Sequence, residues 1–481
     1  MKVAILFVSF SWLLFLIQPE SLSLALLGPA CFFLGSIASF VLLIRSGGVF
    51  AALAWFVLGS GIYFGLGVVV GGVAPDPRSV HYVSDVTLLT DLFRINVLNS
   101  SSVALILVVA LPLAYRPRGA AMARVPEYVV SQREIDGVLV RLYPYVTLVA
   151  IAAVLLELAS FPNASNLILR TLLSSAHFAV PLCVLSLGML WSRLPSAWVS
   201  LGVLVFVSST ITSVLQMSKF AVMSDAVALV VGVWVHRRSR RSIVAGLLAL
   251  GTIYVSVSPI VTEGRGQVGY DAEDNSPIDR VLIAIDVIAG NSKTNTAVVE
   301  GPSSTVAKPL LRFSVAEIQG YLIQEYEDGK PGKSLDDAWA AAIPRLLWPD
   351  KPNITRFGAE LHGLYWAKAD PTSALAPTYT GEAYWDYGPA GVVVVSILIG
   401  LELGWLTGRW HIAALGKDPA FFLIAFPTAL WASFVESWIA ATYVGGFLTL
   451  VGLWYIARVL VVKLLIGALH KNRLRLKTLA V

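Results

Sequence analysis

The chain is poor in charged residues. Only 14% of its 481 residues are Asp, Glu, Lys or Arg, whereas soluble domains usually carry about 25%. Hydrophobic residues make up 57% of the chain, so a soluble protein of this size would lack the polar surface that keeps it in solution. These proportions argue against large soluble enzymes, nucleic-acid-binding modules and disordered regulators. They favour a polytopic membrane protein.

Cysteine is equally scarce. The two cysteines, Cys31 and Cys183, lie in separate apolar segments. Such spacing indicates neither a disulfide framework nor a thiolate zinc site. The chain also lacks an internal repeat, whereas a transporter built from two inverted halves usually has paired broken helices. This absence argues against a secondary transporter.

Apolar segments of about 20 residues, the length that crosses a bilayer as a helix, recur along the chain. Twelve are predicted, at residues 3–17, 24–44, 49–73, 96–114, 143–159, 167–191, 197–215, 220–235, 243–260, 389–407, 419–435 and 443–461. The first resembles the core of a signal peptide, but no small-residue cleavage site follows it, so we interpret it as a retained helix. The predicted fold class is an all-α polytopic membrane protein with about twelve transmembrane helices.

The basic residues predict the orientation, because short loops rich in Lys and Arg stay on the cytoplasmic side. Such loops lie at Arg45, 116–141, Arg193, 237–241, 409–417 and after Arg458, all on one side if every span crosses. Both termini are then cytoplasmic. The predicted domains are nine spans in residues 1–260, an extracytoplasmic loop in 261–388, three spans in 389–462 and a basic cytoplasmic tail in 463–481.

The long extracytoplasmic loop carries helix signals. A proline-containing start at 276–279 precedes apolar residues at helical spacing. These are Ile278, Val281, Leu282, Ile285 and Ile288. Ser314 with Glu317 has capping-box spacing, and Ser334 with Asp337 resembles the same device, so each pair predicts a further helix. We expect a small helical cap over the outer mouth of the bundle.

Two strings in this loop stand out, IPRLLWPDKP at residues 343–352 and TYTGEAYWDYGPAG at 378–391. The prolines of the first string break regular structure and hold Arg345 and Lys351 on turns. Arginine as a bidentate fork and lysine as a point charge suit a diphosphate. The alternative is a structural loop stapled by bonds from these side chains to backbone carbonyls, with its aromatic residues at the headgroup level.

These strings resemble the oligosaccharide repeat-unit polymerases, also called O-antigen polymerases of the Wzy type. The resemblance rests on I-P-R-x-L-W-P-x-K-P, on G-E-x-Y-x-x-Y-G-x-x-G at the entrance to the next span, on the approach from Gly332 to Arg345, and on the upstream Arg312. The layout of many spans with one large late loop agrees with the family.

The resemblance implies a metal-independent C-type glycosyltransferase of the bacterial inner membrane, without a cofactor. It would transfer a growing glycan from undecaprenyl diphosphate to the non-reducing end of an incoming lipid-linked unit at the outer face. The implied partners are the lipid-linked donor and acceptor, the bilayer, a chain-length regulator and a flippase, and no nucleic acid. Cationic side chains could stabilise the diphosphate leaving group in place of a metal ion.

The candidates for binding the diphosphate are six basic residues, Arg345, Lys351, Arg312, Arg265, Lys219 and Arg280. Lys219 stands where family members often carry the arginine of a Ser-Arg pair; a snorkelling interfacial lysine is the alternative. Arg265 lies between glycines that let backbone amides approach a ligand, or else in a flexible linker. Arg312 precedes a predicted helix start, which favours anions. For Arg280 a structural ion pair with a nearby acid is the favoured interpretation.

The acceptor hydroxyl needs a carboxylate or an imidazole to receive its proton, and the candidates are Glu382, Asp386 and His362. Glu382 ranks first because it lies in the matched motif just before the tenth span. Its alternative role is to pin the loop by bonding Arg345 or backbone amides, and that of His362 is structural. Candidates for stacking on sugar rings are Trp348, Tyr384 and Trp385, unless they form an interfacial belt.

Two other functions stay open. An O-antigen ligase, or another lipid-diphosphate-dependent C-type glycosyltransferase, would share the cationic site and differ only in its acceptor. A lipid-linked oligosaccharide flippase or exporter would instead spread charged residues along the spans through both leaflets. The charged residues cluster in the outer loop, and this favours an enzyme.

Overall fold

The computed structural model describes residues 8, 13, 22–73, 85–115, 132–159, 179–216, 218–237, 239–268, 277–289, 313–343, 347–348, 350–354, 356–366, 375–415 and 418–459. Within these residues nearly every element is a helix, and the isolated bridge between Thr378 and Glu436 is the one β pairing. The predicted all-α class is confirmed.

The helices are numbered in chain order. Those before the long loop are α1 (Leu22–Gly47), α2 (Ala52–Val73), α3 (Asp85–Ala114), α4 (Gln132–Ala159), α5 (Ala179–Leu190), α6 (Ser196–Leu215), α7 (Lys219–Arg237) and α8 (Arg240–Val268). The loop contains α9 (Pro277–Ile288), α10 (Ala316–Glu327), a 3-10 helix (Ala338–Ala342) and α11 (Arg356–Trp366). After it come α12 (Tyr379–Ala414), α13 (Pro419–Ala432) and α14 (Ala440–Val459).

Seven of the described helices are long and apolar enough to cross a membrane. They are Ala25–Arg45 within α1, α2, Asp91–Ala114 within α3, Leu139–Glu157 within α4, α6, α12 and α14. The chain is therefore a helical membrane protein. Each predicted span after the first overlaps a described helix, although residues 167–178 of the sixth lie outside the described residues. The first span, apart from residues 8 and 13, and the tail at 463–481 lie outside the described residues, and the total of twelve spans stays a prediction.

Small residues allow the closest contacts between these helices. A Cβ added at Gly400 or Gly404 of α12 would meet Val109 or Ala110 of α3. A Cβ added at Gly188 of α5 would likewise meet the backbone of α7. In a bilayer, where lipid tails are as apolar as side chains, close backbone approach is a main source of helix association.

The described loop segments lie against one end of the bundle. Asn99 of α3 and Gln319 of α10 exchange two amide hydrogen bonds of 3.0 Å. Thr380 at the start of α12 donates to Asn99 Oδ1 at 2.7 Å and accepts from Gln319 Nε2 at 2.7 Å. Because all three side chains are buried, their polar atoms need these partners. The network fastens α10 to the middle of α3 and to the start of α12, two helices that can span the membrane.

The loop helices differ in part from the prediction. α9 begins at Pro277 as expected. The predicted cap of α10 is wrong, because α10 begins at Ala316 without a side-chain cap and Glu317 accepts instead from the Tyr365 hydroxyl at 2.9 Å. The third predicted helix is only turns followed by the short 3-10 helix. Its expected cap, Ser334, donates to distant carboxylates instead.

α12 contains a sharp break. Tyr387 and Gly388 leave helical geometry, and Gly388 has φ +61° and ψ −153°, a region that is essentially restricted to glycine. Pro389 then restarts the helix without needing a hydrogen bond from its nitrogen. Residues 379–386, which carry the second motif, therefore form a short helix of their own ahead of the apolar part of α12.

Replacing Gly388 should destabilise this break. In Gly388→Ala the alanine would have to adopt a backbone φ that is unfavourable for it, and its Cβ would lie 2.6 Å from the Tyr326 ring. We therefore expect the free energy of unfolding to fall by about 1–3 kcal/mol. Thermal unfolding in detergent measures the change. Gly251→Ala in α8 is the matched control, since nothing lies within 4 Å of its Cβ position. Equal melting temperatures for the two variants would contradict the strained turn.

Candidate active site

The second motif begins with a buried helix start. Thr378 is the N-cap of α12, and its hydroxyl accepts from the Gly381 amide at 3.1 Å. Thr378, Tyr379, Thr380 and Glu382 all have no exposed surface. A helix start enclosed by protein needs such caps, because water cannot satisfy its free amides.

Glu382 joins three separate parts of the chain. Its Oε1 accepts from the Ser334 hydroxyl at 2.8 Å, and its Oε2 accepts from the Ile439 amide at 2.6 Å. With 0% of its surface exposed, it faces protein on every side. This is the arrangement of a carboxylate that pins a loop, and the Ile439 amide is a partner of the kind predicted for that role.

Asp386 lies one turn further along α12, on the same face as Glu382. Its Oδ2 accepts from the Leu335 amide at 2.6 Å and from the Ser334 hydroxyl at 3.1 Å. The residue is 5% exposed. One serine hydroxyl thus stands between two acids, and the segment around Ser334 is held along this face of α12.

Further bonds hold the approach to the first motif against the second. The Gly332 amide donates to the Trp385 carbonyl at 3.0 Å, and Trp385 Nε1 donates to the Lys330 carbonyl at 3.3 Å. Tyr387 donates to Asp336 at 3.0 Å. The structure therefore holds the approach to the first motif, residues 332–336, against the second motif.

Trp385 has no free face for a sugar in this structure. It is 5% exposed and packs in an apolar cluster with Leu322, Phe357, Leu361 and Trp438. Two of these belong to α11, the helix that carries His362, which is half-buried. Tyr384 is also half-buried, and its hydroxyl donates to Glu327 at 3.4 Å.

Trp348 occupies a different environment. Its ring stacks on Trp339, with 5.4 Å between ring centroids and 27° between planes. Trp339 is 58% exposed, and the neighbouring Leu347 is exposed as well. The sequence prediction missed Trp339, although an isolated tryptophan among alanines in the approach to the motif is a signal for it. The half-buried Trp348 of the first motif and the exposed Trp339 thus form an aromatic platform.

Lys351 closes the loop that contains Arg345. Its Nζ donates to the carbonyls of Ile343 at 2.7 Å and Ala340 at 3.1 Å. These are the bonds of the stapling alternative. Arg345 lies in sequence between the residues that this lysine joins, but Arg345 itself, like Arg312, falls outside the described residues.

The other three basic candidates lie on helices. Arg265 is in the last turns of α8, so the flexible linker considered for it is wrong. Lys219 is the first residue of α7, behind Ser218, whose hydroxyl accepts from the Ala221 amide at 3.3 Å. The side chains of Arg265 and Lys219 are outside the described part. Arg280 is buried, which lowers the pKa of its guanidinium, and its Nη1 donates to the Leu215 carbonyl at 3.4 Å.

Among the described residues, no group of three His, Cys, Asp or Glu side chains could hold a metal ion. In comparisons with known proteins, no family model, no curated protein and no solved structure matches the chain.

The shared serine predicts an energetic coupling. Ser334→Ala removes a donor from two buried carboxylates and should cost about 1–3 kcal/mol of unfolding free energy. Combined with Glu382→Gln, it should cost less than the sum of the single variants, with a coupling of about 0.5–3 kcal/mol. SDS-driven unfolding in mixed micelles measures both. Ser200→Ala, at an exposed position, is the control, and additive losses would show that the two side chains act separately.

Proposed function

We propose that the protein is a glycosyltransferase that polymerises undecaprenyl-diphosphate-linked repeat units at the outer face of a bacterial inner membrane. The observation that supports this most is the hydrogen-bonded unit that Ser334, in the approach to the first motif, forms with Glu382 and Asp386 of the second. Parts of a family signature that lie apart in sequence and meet in space are expected of one site.

The depth of this unit suits a lipid-linked substrate. It lies at the start of α12 and next to the start of α14, since Glu382 accepts from the Ile439 amide. Thr380, in the same short helix, bonds Asn99 in the middle of α3. A lipid diphosphate carries its charge at the headgroup level, just beyond the ends of membrane-spanning helices. Its glycan then extends away from the membrane, towards the loop.

In this proposal the loop from Ile343 to Lys351 binds the diphosphate. Arg345 provides the bidentate cation that stabilises charge as the leaving group departs. Lys351, bonded to two carbonyls, holds the loop in shape and adds positive potential. The platform of Trp339 and Trp348 offers a surface on which a sugar ring next to the diphosphate can stack.

In the proposed reaction, an acceptor hydroxyl oxygen attacks the anomeric carbon of the donor glycan. The bond from that carbon to the diphosphate oxygen breaks, and undecaprenyl diphosphate leaves with the electron pair. The hydroxyl proton passes to Asp386, the less enclosed of the two acids and the one adjoining the exposed Tyr387. Glu382, with both oxygens engaged and no exposed surface, positions the loop.

Arg345→Ala should abolish polymer formation without changing the yield of protein. Loss of one electrostatic stabiliser of a transition state lowers the rate by about 10²–10³. The assay reconstitutes the purified protein with lipid-linked repeat units extracted from cells that lack it, and resolves glycan length on gels. Lys330→Ala, which alters an exposed lysine at the same end of the bundle, is the control and should retain activity.

Three outcomes of that assay would overturn the proposal. Full-length polymer from Arg345→Ala would show that this arginine is not part of the site. Transfer of a preformed glycan to a lipid acceptor without growth in length would identify a ligase. Movement of the lipid-linked unit across the bilayer without formation of a glycosidic bond would identify a flippase.

Chelation should leave the polymerisation rate unchanged, because cationic side chains are proposed to stabilise the diphosphate. The same reconstituted reaction is run with EDTA and again with added magnesium. If polymer were lost in EDTA and restored by magnesium, that result would contradict the metal-independent mechanism.

A further inference from the structure

The loop helix α9 exposes its apolar face. Val281, Leu282 and Ile285 are 40%, 54% and 53% exposed. They belong to the helically spaced series that the sequence pattern would place against a protein core. The flanking acids Asp279 and Asp286 are also exposed. Something other than the described protein must cover three large aliphatic side chains on one short helix.

The opposite face of α9 attaches it to the bundle. Ile283 packs on the buried Val261 of α8. Arg280, itself buried, donates to the carbonyl of Leu215, the last residue of α6. A guanidinium is a suitable partner for the free carbonyls at a helix C-terminus. The face of α9 that carries Arg280 and Ile283 therefore attaches this helix to α8 and to the end of α6.

The exposed face of α9 adjoins a surface that faces lipid. Leu204, Val207 and Ile211 are exposed on α6, which is long and apolar enough to cross a membrane. Leu215 continues their series at helical spacing, so it lies at the end of the same stripe. Arg280 bonds the Leu215 carbonyl, and this places α9 where the lipid-facing stripe of α6 ends.

Length decides how α9 meets the membrane. Its 12 residues extend about 18 Å, too short for a hydrocarbon core of about 30 Å. A short helix with one apolar face and one charged face lies in the plane of the interface, with the apolar side chains among the upper acyl chains. Asp279 and Asp286 would then remain at the level of water and headgroups.

We propose that α9 is an interfacial helix whose Val281, Leu282 and Ile285 insert into the leaflet at the loop end of the bundle. The bilayer is its partner, and the contact is apolar, since the exposed charges of the helix are acidic and do not favour anionic headgroups. The contact ties the long loop to the membrane surface at a second place, apart from the network around Gln319. This placement does not depend on the reaction that the protein catalyses.

Depth-dependent fluorescence quenching tests the insertion. The full-length protein with Cys31→Ala and Ile285→Cys is labelled with an environment-sensitive fluorophore and placed in nanodiscs; Cys183 is buried. We expect a blue-shifted emission that a nitroxide at carbon 5 of the acyl chain quenches more than one at carbon 12. Asp286→Cys is the matched control, and aqueous iodide should quench its probe while lipid nitroxides do not.

Two results would overturn the interfacial helix. One is equal quenching by iodide at positions 285 and 286, which would show an apolar face open to water. The other is protection of position 285 from iodide and from both nitroxides, which would show that protein, and not lipid, covers that face. Leu282→Cys repeats the measurement at a second position, so the test still gives an answer if one of the two variants fails to fold.

Discussion

The hydroxyl of Ser334 lies between two buried carboxyl groups, and the arrangement of this end of the molecule depends on that contact. Glu382 and Asp386 share one face of α12 and accept from this serine and from the amides of Ile439 and Leu335. Each of these bonds matters because the carboxyl oxygens are shielded from water and need partners within the protein. The same shielding makes the loss of a single donor costly, so the loop, α12 and the start of α14 form one unit.

A second polar network performs the same task on the other side of the short helix 379–386. Asn99, Gln319 and Thr380 satisfy one another inside an apolar bundle, and this attaches α10 to α3 and α12. Polar groups at membrane depth need internal partners. The second motif is thus fixed on two sides at the start of α12, by Ser334 on one face and by Asn99 and Gln319 on the other.

Much of this end of the molecule could be anticipated from the sequence, but the roles of particular side chains could not. Glu382 was recognisable from its motif, and a pinning role through a backbone amide was among its predicted alternatives. Its actual donors lie 48 and 57 residues away along the chain. No local pattern identifies donors at such separations. Trp385 was offered as a sugar-stacking residue, yet four apolar residues from other segments enclose it.

The sequence by itself determined the all-α membrane class, the positions of the described apolar helices and the start of α9, because these follow from composition, periodicity and proline. The tertiary structure decided which face of α9 meets protein, what Lys351 and Ser334 bond, and which motif residues are enclosed. Helical periodicity shows which residues share a face. It cannot show whether that face meets protein or lipid, because in a membrane both surroundings are apolar.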